Sequence, residues 1–316
     1  MVSEALAYQA KNIITSATRV CLPMSRNPDP DAVGSAAALA HWCLSLGKPC
    51  VLYVAGDSVL ARHIAPLGVD CIFDAALLPR DINVVVTVDS GDLGYSGAAE
   101  VCAVLPVSPT VINIDHHKSN TRYGQCNIIA EKAASTTQVI FDLFKKCGMV
   151  TSREMAECLF LGLLCDTHGF TNPSTTPEAL EMAGELVGLG ADPAHLQKQW
   201  FRTGSLQSLR ALGRVLAGSG MSRPWQVAYA IAHEPNRPRE GNGISNLFNA
   251  LGEGKAAMIL KEREGGVIHC SMRTTRDDVD LAELAQFFGG GGHAKAAGFT
   301  IKGEIVSIGE GQWKII

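Results

Sequence analysis

Three residues that titrate or bind metal ions stand side by side at Asp115, His116 and His117. The run before them, Thr110 to Ile114, is short, β-branched and apolar, and it predicts a buried strand of a parallel sheet. In open α/β sheets, ligands bind beyond the carboxyl ends of such strands. A carboxylate beside two imidazoles at that edge could hold a divalent cation and a phosphate together. The same triplet can also lie in a solvated turn, so its meaning depends on the rest of the chain.

Aspartates follow three other predicted elements. The loop Asn27-Pro28-Asp29-Pro30-Asp31 precedes a predicted helix, and its two aspartates can face a common point. Asp89 follows a strongly β-branched strand, and Asp166 ends a helix whose interior is apolar nearly all round. Simpler alternatives stay open. Asp31 could merely cap the helix that follows it, Asp89 could belong to a turn, and Asp166 could be solvated.

Together these motifs place five polar residues at one predicted sheet edge: Asp29, Asp31, Asp89, His116 and Asp166. Four carboxylates would repel one another strongly there unless a divalent metal relieved the repulsion. Mixed carboxylate and imidazole ligation suits Mn²⁺ better than a structural zinc. Four carboxylates are enough to bridge two ions, which can clamp an in-line phosphoryl displacement and lower the pKa of a bound water. The sequence alone does not show that the five residues converge.

The elements that must position these residues alternate between apolar runs and helical segments, which predicts an α/β fold. Strands are predicted at Arg19 to Met24, Val51 to Ala55, Asn83 to Val88 and Thr110 to Ile114. Helices are predicted at Glu4 to Ser16, from Ser35 to Leu46, and at Ser135 to Cys147, Ser152 to Cys165, Pro177 to Leu189 and Asp192 to Leu216. We expect a parallel sheet with flanking helices in this N-terminal part.

A turn-rich stretch around Gly218-Ser219-Gly220 predicts a domain boundary. We expect a first domain at 1-195, a helical linker at 196-224 and a smaller α+β domain at 225-316. Its predicted strands are Gln226 to Ala232, Ala256 to Lys261, Gly266 to Met272 and a closing strand at Ala297 to Ile301, with helices at Ile244 to Leu251 and Asp280 to Phe287.

Composition bounds the kind of protein. A formal net charge of -4 gives no global basic footprint, so tight non-specific binding of duplex DNA is not expected. The ten cysteines are scattered without a C-x-x-C pair, which indicates reduced thiols of a cytoplasmic protein. No apolar run approaches the roughly 20 residues of a membrane span, and the N-terminus has no signal-peptide pattern.

Five motifs occur in an order that resembles a known family. They are Asn-Pro-Asp-Pro-Asp-Ala-Val-Gly-Ser, Val-Asp-Ser-Gly-Asp, Asp-His-His, Cys-Asp-Thr-His-Gly-Phe and Gly-Gly-Gly-Gly-His-Ala-Lys-Ala-Ala-Gly-Phe. Over nearly the whole chain they resemble the signature of the DHH/DHHA1 phosphoesterase superfamily, to which RecJ is related. Size and layout are most similar to its small bacterial nanoRNase/pAp phosphatase branch. The resemblance implies a Mn²⁺-dependent phosphoesterase whose substrate cleft lies between two domains.

The resemblance also implies a role for each residue. Asp89 would bridge two ions, Asp29 would belong to the first, and the second would be completed by Asp31, His116 and Asp166. His117 would lie next to the phosphate or orient a ligand, so it counts with Asp89 as a catalytic candidate. In the tail, the backbone of Gly290, Gly291 and Gly292 would approach an anionic group, and His293 would contact the substrate. Arg273 matches an arginine of the family that meets the nucleotide.

Two positions depart from the family pattern. Its first motif usually opens with a histidine four residues before the first aspartate, and that position is Ser25 here. Neutral serine is a weak metal ligand, so one ion could be lost. His168 stands where a small residue is usual, two residues after Asp166. It could partly replace the missing imidazole or touch the phosphate, although an exposed histidine at a helix end is the simpler interpretation.

Three functions compete. The first is an active enzyme that cleaves short oligoribonucleotides, linear dinucleotides such as pApA, or pAp, with two Mn²⁺ ions that Mg²⁺ or Co²⁺ could replace. The second is a degenerate member that binds nucleotide or a single metal with weak or no catalysis. The third, a family II inorganic pyrophosphatase, is disfavoured because that branch has a different C-terminal domain. Attack on long single strands is disfavoured too, since no basic, aromatic-rich groove is visible. A homodimer is compatible with the family, and no membrane partner is expected.

Overall fold

In a computed structural model of the chain, the described residues are 2–25, 28–54, 71–200, 206–232, 254–263, 265–309 and 312–316. They form two compact units, Met1–Phe201 and Arg202–Ile316. The predicted α/β class is confirmed, with a parallel sheet in the first unit and a separate mixed sheet in the second.

A six-stranded parallel sheet forms the centre of the first unit, in the order β3-β2-β1-β4-β5-β6. Its strands are β1 (Val20–Met24), β2 (Cys50–Val54), β3 (Cys71–Ile72), β4 (Val84–Val88), β5 (Thr110–Asp115) and β6 (Cys126–Ile129). The inner strands β1, β2 and β4 are buried along their whole length, because helices cover both faces of the sheet. This explains why their sequences are continuous apolar runs.

The order of strands reverses direction between β1 and β4. The chain builds β2 and β3 on one side of β1, and then β4, β5 and β6 on the other side. The connections after β1 and β4 therefore diverge, which opens a crevice at the carboxyl ends of these strands. Every aspartate predicted at a strand end belongs to this edge.

Helices cover the sheet on both faces: α1 (Glu4–Ser16), α2 (Pro30–Ser45), α3 (Ala98–Val104), α4 (Thr136–Lys146), α5 (Arg153–Asp166), α6 (Pro177–Gly188) and α7 (Pro193–Trp200). The main core contains residues of β1 and β4 together with α1, α2, α4 and α5, and a smaller cluster on the opposite face includes α3. Helices α2 and α5 approach closely at Gly34 of α2 and Gly162 of α5. A Cβ at Gly34 would overlap the carbonyl of Cys158. No described helix combines the length and apolarity needed to cross a membrane.

The second unit is built on a mixed sheet in the order β11-β12-β10-β9-β8-β7. Its elements are α8 (Leu206–Ala217), β7 (Gly220–Ser222), β8 (Val227–Ala232), β9 (Ala256–Arg263), β10 (Val267–Arg273), α9 (Leu281–Phe287), β11 (Gly291–His293) and β12 (Ala296–Lys302), followed by a hairpin of β13 (Ile305–Gly309) and β14 (Gln312–Ile315). Helix α8 packs through Val215 on Ala228 and Ala230, and α9 packs on Cys270 and Phe299.

Predicted and observed elements differ mainly in short segments. The strand at Ala297 to Ile301 was expected to close the chain, but the β13–β14 hairpin follows it. Strands β3, β6, β7 and β11 were not predicted, because each has too few residues to show a period, and helix α3 was not predicted either. The helix predicted at Ile244 to Leu251 lies outside the described residues. The boundaries 1-195, 196-224 and 225-316 stay a prediction.

Candidate metal centre

Four elements deliver acidic or imidazole side chains to one edge of the parallel sheet. Asp31 lies in the first turn of α2, Asp89 follows β4, Asp115 ends β5, and Asp166 is the last residue of α5. His116 directly follows β5. Although α5 lies far from these strands in sequence, its buried interior carries Asp166 to the same edge. Four of the five residues predicted as ligands therefore belong to compact groups of ligand atoms, and the charge of the fifth, Asp29, acts on Asp89 and Asp166.

Two overlapping groups of potential ligands form within the described residues. One contains Asp31, His116 and Asp166, and its three ligand atoms lie within 4.8 Å of one another. The other group contains Asp89, Asp115, His116 and His117, and its ligand atoms also lie within 4.8 Å of one another. His116 belongs to both, with Nε2 at 3.3 Å from Asp166 Oδ2 and 3.7 Å from Asp89 Oδ1.

His116 is oriented by its second ring nitrogen. Nδ1 lies 3.1 Å from the backbone carbonyl of Ala133, so a proton on Nδ1 leaves the Nε2 lone pair directed at the aspartates. A neutral imidazole held in this way is a common arrangement of metal-binding histidines. The backbone N–H of His116 donates to Asp115 Oδ1 at 2.7 Å, which ties the histidine to the strand end.

Asp31 is held by the amino terminus of α4. Its side chain is completely buried, and its two oxygens accept from the backbone N–H groups of Thr136, at 2.7 Å, and Thr137, at 3.1 Å. The hydroxyl of Thr136 donates to Asp89 Oδ1 at 2.9 Å. A helix amino terminus stabilises negative charge, so α4 supports two of the carboxylates at once.

Asp115 supports the histidines rather than facing the opening. Its Oδ1 accepts from the backbone of His116 and His117, and lies 2.7 Å from His117 Nδ1. Its Oδ2 accepts from the Asn120 amide at 2.6 Å, and the same amide donates to the carbonyl of Ser90. Asn120 therefore joins the ends of β4 and β5.

The electrostatics of the site depend on crowding. Burial, and then the nearby charges of other aspartates, hold the pKa of both Asp89 and Asp166 well above the usual range. Burial also raises the pKa of Asp31, against the charge of His116 and the two backbone hydrogen bonds. By itself burial would lower the pKa of His117, but the hydrogen bond and charge of Asp115 outweigh it and raise that pKa.

These features fit a divalent cation. The side chains are buried, converge from several elements and repel one another, which a bound cation would relieve. Carboxylate oxygens with one imidazole nitrogen are a donor set typical of Mn²⁺ or Mg²⁺ rather than of structural zinc. The residues present therefore fit the metal ions implied by the motifs, and His116 belongs to both groups of potential ligands.

The two remaining metal candidates lie in the loop after β1. Asp29 is the N-cap of α2, where its Oδ1 accepts from the backbone of Asp31 and Ala32 at 3.0 Å. The capping alternative considered for Asp31 thus belongs to Asp29. Within the described residues, neither compact group includes Asp29. Ser25 follows β1 and is half-buried.

His168 is exposed and lies just beyond α5 with a left-handed backbone at φ 51°. Its Nδ1 is 2.9 Å from the side-chain amide of Asn172, and within the described residues it belongs to neither ligand group. This placement favours the simpler interpretation, an exposed histidine at a helix end.

The candidates of the second unit lie on neighbouring strands. Arg273 ends β10 and pairs with Ala296 of β12, which in turn pairs with His293 of β11. The glycine run is an edge strand, not an open loop: a Cβ at Gly290 would overlap the carbonyl of Gly298, and one at Gly292 would lie 2.5 Å from Ala296 O. At Gly291 a Cβ would meet no atom within 4 Å. Close packing on β12 thus explains why Gly290 and Gly292 carry no side chain.

The supporting residues Thr136 and Asn120 were not predicted from the sequence. The helix predicted at Ser135 to Cys147 already begins at this stretch, and Ser135 caps α4 through its side chain. Nothing in the sequence shows, however, that this start faces Asp31 and Asp89. Asn120 gives no sequence signal either, because its role depends on a hydrogen bond to the carbonyl of Ser90, which follows β4.

Comparison with known proteins identifies the class. Residues 19–163 match the DHH family, N-terminal domain, and residues 226–307 match the DHHA1 domain. The chain belongs to the DHH/DHHA1 phosphoesterase family, an enzyme family of hydrolases.

Among curated proteins it is similar to the bifunctional oligoribonuclease and PAP phosphatase NrnA of Thermus thermophilus, with 32% identity over 281 residues, 88% of this chain and 82% of that protein. The protein of the same name from Bacillus subtilis is 26% identical over 203 residues, 62% of this chain and 64% of that protein.

Two solved structures share the fold. An exopolyphosphatase-related protein from Bacteroides fragilis superposes with a TM-score of 0.85 at 24% identity, covering 96% of this chain and 93% of that one. RecJ of Thermus thermophilus in complex with Mn²⁺ gives a TM-score of 0.52 at 14% identity and covers 95% of this chain but 52% of that one.

Proposed function

We propose that the chain is a Mn²⁺-dependent phosphoesterase that hydrolyses short oligoribonucleotides, linear dinucleotides such as pApA, or pAp. The observation that carries the proposal is the convergence of Asp31, His116 and Asp166 within 4.8 Å, next to Asp89. The names of the curated relatives, oligoribonuclease and PAP phosphatase, support this choice of substrates.

In this proposal Asp29 would belong to the first ion, Asp31, His116 and Asp166 would hold the second, and Asp89 would serve both. Asp29 would use Oδ2 for this role, because its Oδ1 is engaged in capping α2. Bound Mn²⁺ would supply positive charge that neutralises a phosphate and acidifies water. The protein contributes the fixed geometry, since three of these carboxylates are anchored on regular elements.

His117 is proposed to face the substrate phosphate. Asp115 fixes its Nδ1 and raises its pKa, so the imidazole carries a proton over a wider pH range than a free histidine. A protonated imidazole beside a phosphate donates a charge-assisted hydrogen bond and can protonate a leaving oxygen. Asp115 itself stays ionised: burial would raise its pKa, but hydrogen bonds from His117 and Asn120 lower it overall.

Arg273 and the glycine run are proposed to bind the nucleotide. Arg273 donates to the carbonyl of Met272 at 3.0 Å, and within the described residues it forms no ion pair. Burial lowers the pKa of Arg273, and an anionic ligand would offset that cost. The backbone at Gly291 and the side chain of His293 are proposed to complete the contact with the substrate.

We also propose the cellular setting of the enzyme and its substrate range. All ten cysteines are free, which agrees with a cytoplasmic protein. A negative net charge of -4 argues against duplex DNA as a substrate. We also propose the boundaries 1-195, 196-224 and 225-316, and a homodimer is left as a hypothesis to be tested by measurement of mass in solution.

A second candidate is a degenerate member that binds nucleotide or one metal and turns over slowly. Ser25 favours it, because the family pattern has histidine at this position. The capping role of Asp29 favours it as well, since one of its oxygens is engaged by the backbone. Both observations argue against tight binding of the same ion, whereas the proposed site of the other ion has ligand atoms of Asp31, His116 and Asp166 within 4.8 Å of one another.

The deciding experiment incubates the protein with Mn²⁺ and, separately, short RNA, pApA, pAp and pyrophosphate. Turnover of any of the first three, lost in Asp89→Asn, supports the proposal. An inert wild type whose Ser25→His variant turns over would establish the degenerate alternative. Hydrolysis that survives Asp89→Asn would overturn the site, and hydrolysis of pyrophosphate alone would overturn the substrate class. One bound Mn²⁺ per chain rather than two would locate the defect on the Ser25 side.

A further inference from the structure

One residue outside the predicted ligands contacts two of them. Thr136, the first residue of α4, donates its backbone N–H to Asp31 Oδ2 at 2.7 Å and its hydroxyl to Asp89 Oδ1 at 2.9 Å. The two carboxylates come from α2 and from the end of β4, so Thr136 links two separate segments of the site. The threonine is fully buried, which excludes solvent as a substitute for either bond.

Among the described residues, few contacts hold the side chain of Asp89. Its backbone is left-handed at φ 53°, a region that few residues other than glycine adopt, with asparagine, aspartate and histidine enriched among them. Within the described residues, the Thr136 hydroxyl is the single donor that hydrogen-bonds its side chain. His116 Nε2 and His117 Nδ1 both lie farther away, at 3.7 Å from the same oxygen. The direction of the Asp89 carboxylate therefore depends on Thr136.

We propose that the hydroxyl of Thr136 is a positioning group that fixes Asp89 for binding of the divalent cation. This inference rests on the metal site of the proposed function. Thr136 acts through Asp89 and touches no substrate in this role. A hydrogen bond from a buried hydroxyl to a ligand carboxylate typically changes metal affinity by about 10- to 100-fold when it is removed.

The chain offers a conservative pair of variants and a matched control. Thr136→Val keeps the shape and the backbone N–H to Asp31 but removes the hydroxyl, whereas Thr136→Ser keeps the hydroxyl. Thr87→Val is the control, because Thr87 is also fully buried and its hydroxyl bonds Ile112 O and Tyr123 instead of a ligand. If Thr136→Val does not fold by circular dichroism, Thr136→Ala takes its place, since alanine is well tolerated in a helix.

In the test, each protein is titrated with Mn²⁺ alone. Binding is monitored by calorimetry and by the electron paramagnetic resonance signal of free Mn²⁺. We expect Thr136→Val or Thr136→Ala to bind at least about 10-fold more weakly than wild type, Thr136→Ser to stay within about threefold of it, and Thr87→Val to be unchanged. Equal affinity of wild type and Thr136→Val overturns the inference and leaves the proposed function intact. If Thr87→Val weakens binding as much, the effect is general loosening and the inference fails. A wild type that binds no Mn²⁺ overturns the proposed function itself.

Discussion

Asp115 Oδ1 lies 2.7 Å from His117 Nδ1 and also accepts the backbone N–H groups of His116 and His117. One carboxylate oxygen thus fixes both the ring and the backbone of the Asp-His-His triplet. The triplet is thereby divided into a supporting residue, Asp115, and two histidines that face the crevice. The roles proposed for the two histidines depend on this division.

Replacement of the supporting carboxylate tests the division. In Asp115→Asn the charge beside His117 is lost, so the imidazole loses its proton at a lower pH than in wild type. We expect kcat/KM to fall by about 10- to 100-fold and the pH profile of the rate to shift to lower pH. Asp142→Asn is the control, because Asp142 also accepts a backbone N–H, from Val2, but lies outside the site. An unshifted profile with a full rate would exclude a role for His117 as a proton carrier.

The raised pKa values of the buried aspartates predict how stability varies with pH. Above about pH 4 the unfolded chain ionises these carboxyls, while the folded protein holds the protons of Asp89 and Asp166 to higher pH. The stability of the metal-free protein should therefore fall as pH rises through the folded pKa values. Asp166→Asn removes one of these charges, so in EDTA it should be more stable than wild type at pH 8 and little different at pH 4.

Urea unfolding at the two pH values measures this difference in stability. The same unfolding experiment with added Mn²⁺ tests whether the cation relieves the repulsion. Added Mn²⁺ should raise the unfolding midpoint of wild type at pH 8 and should have little effect on Asp166→Asn. A variant that is less stable than wild type at pH 8 in EDTA would show that Asp166 stabilises the empty site, contrary to the expected repulsion.

The sequence predicted the parallel sheet because its central strands are buried on both faces and read as continuous apolar runs. It also predicted that Asp89, His116 and Asp166 share an edge, since each follows an apolar element. It could not predict that Asp29 rather than Asp31 caps α2, because both stand within one turn of the helix start. The support from Thr136 and Asn120 depends on tertiary contacts over long sequence distances, which no local pattern encodes.

The close approach of α5 to Asp31 predicts a sharp effect at Gly162. A Cβ there would overlap Asp31 Oδ1 and lie 2.5 Å from Thr137 Cγ2. We expect Gly162→Ala to lower the free energy of unfolding by about 1–3 kcal/mol and to weaken Mn²⁺ binding. Gly184→Ala in α6 is the matched control, since its Cβ would meet no atom within 4 Å. It should stabilise the protein by roughly 0.5–1 kcal/mol, so a similar loss in both variants would refute the packing argument.

The proposed role of Arg273 in binding the nucleotide predicts that its replacement changes substrate affinity rather than turnover. Arg273→Gln keeps a hydrogen-bonding side chain but removes the guanidinium charge and its planar fork. We expect KM for pApA to rise by about 10-fold while kcat changes little. Arg276→Gln is the comparison, because Arg276 is exposed and pairs with Asp278. If KM is unchanged in Arg273→Gln, the arginine has a structural role within its own sheet.

The left-handed backbone of Asp89, at φ 53°, limits which residues can stand at this position over evolutionary time. Asparagine and glycine adopt this conformation readily, whereas other side chains add strain to the loss of the carboxylate. A lineage that abandons cation binding but keeps the fold should therefore carry asparagine or glycine here. The same preference makes Asp89→Asn a cleaner inactive variant than Asp89→Ala, because it separates the loss of charge from damage to the chain.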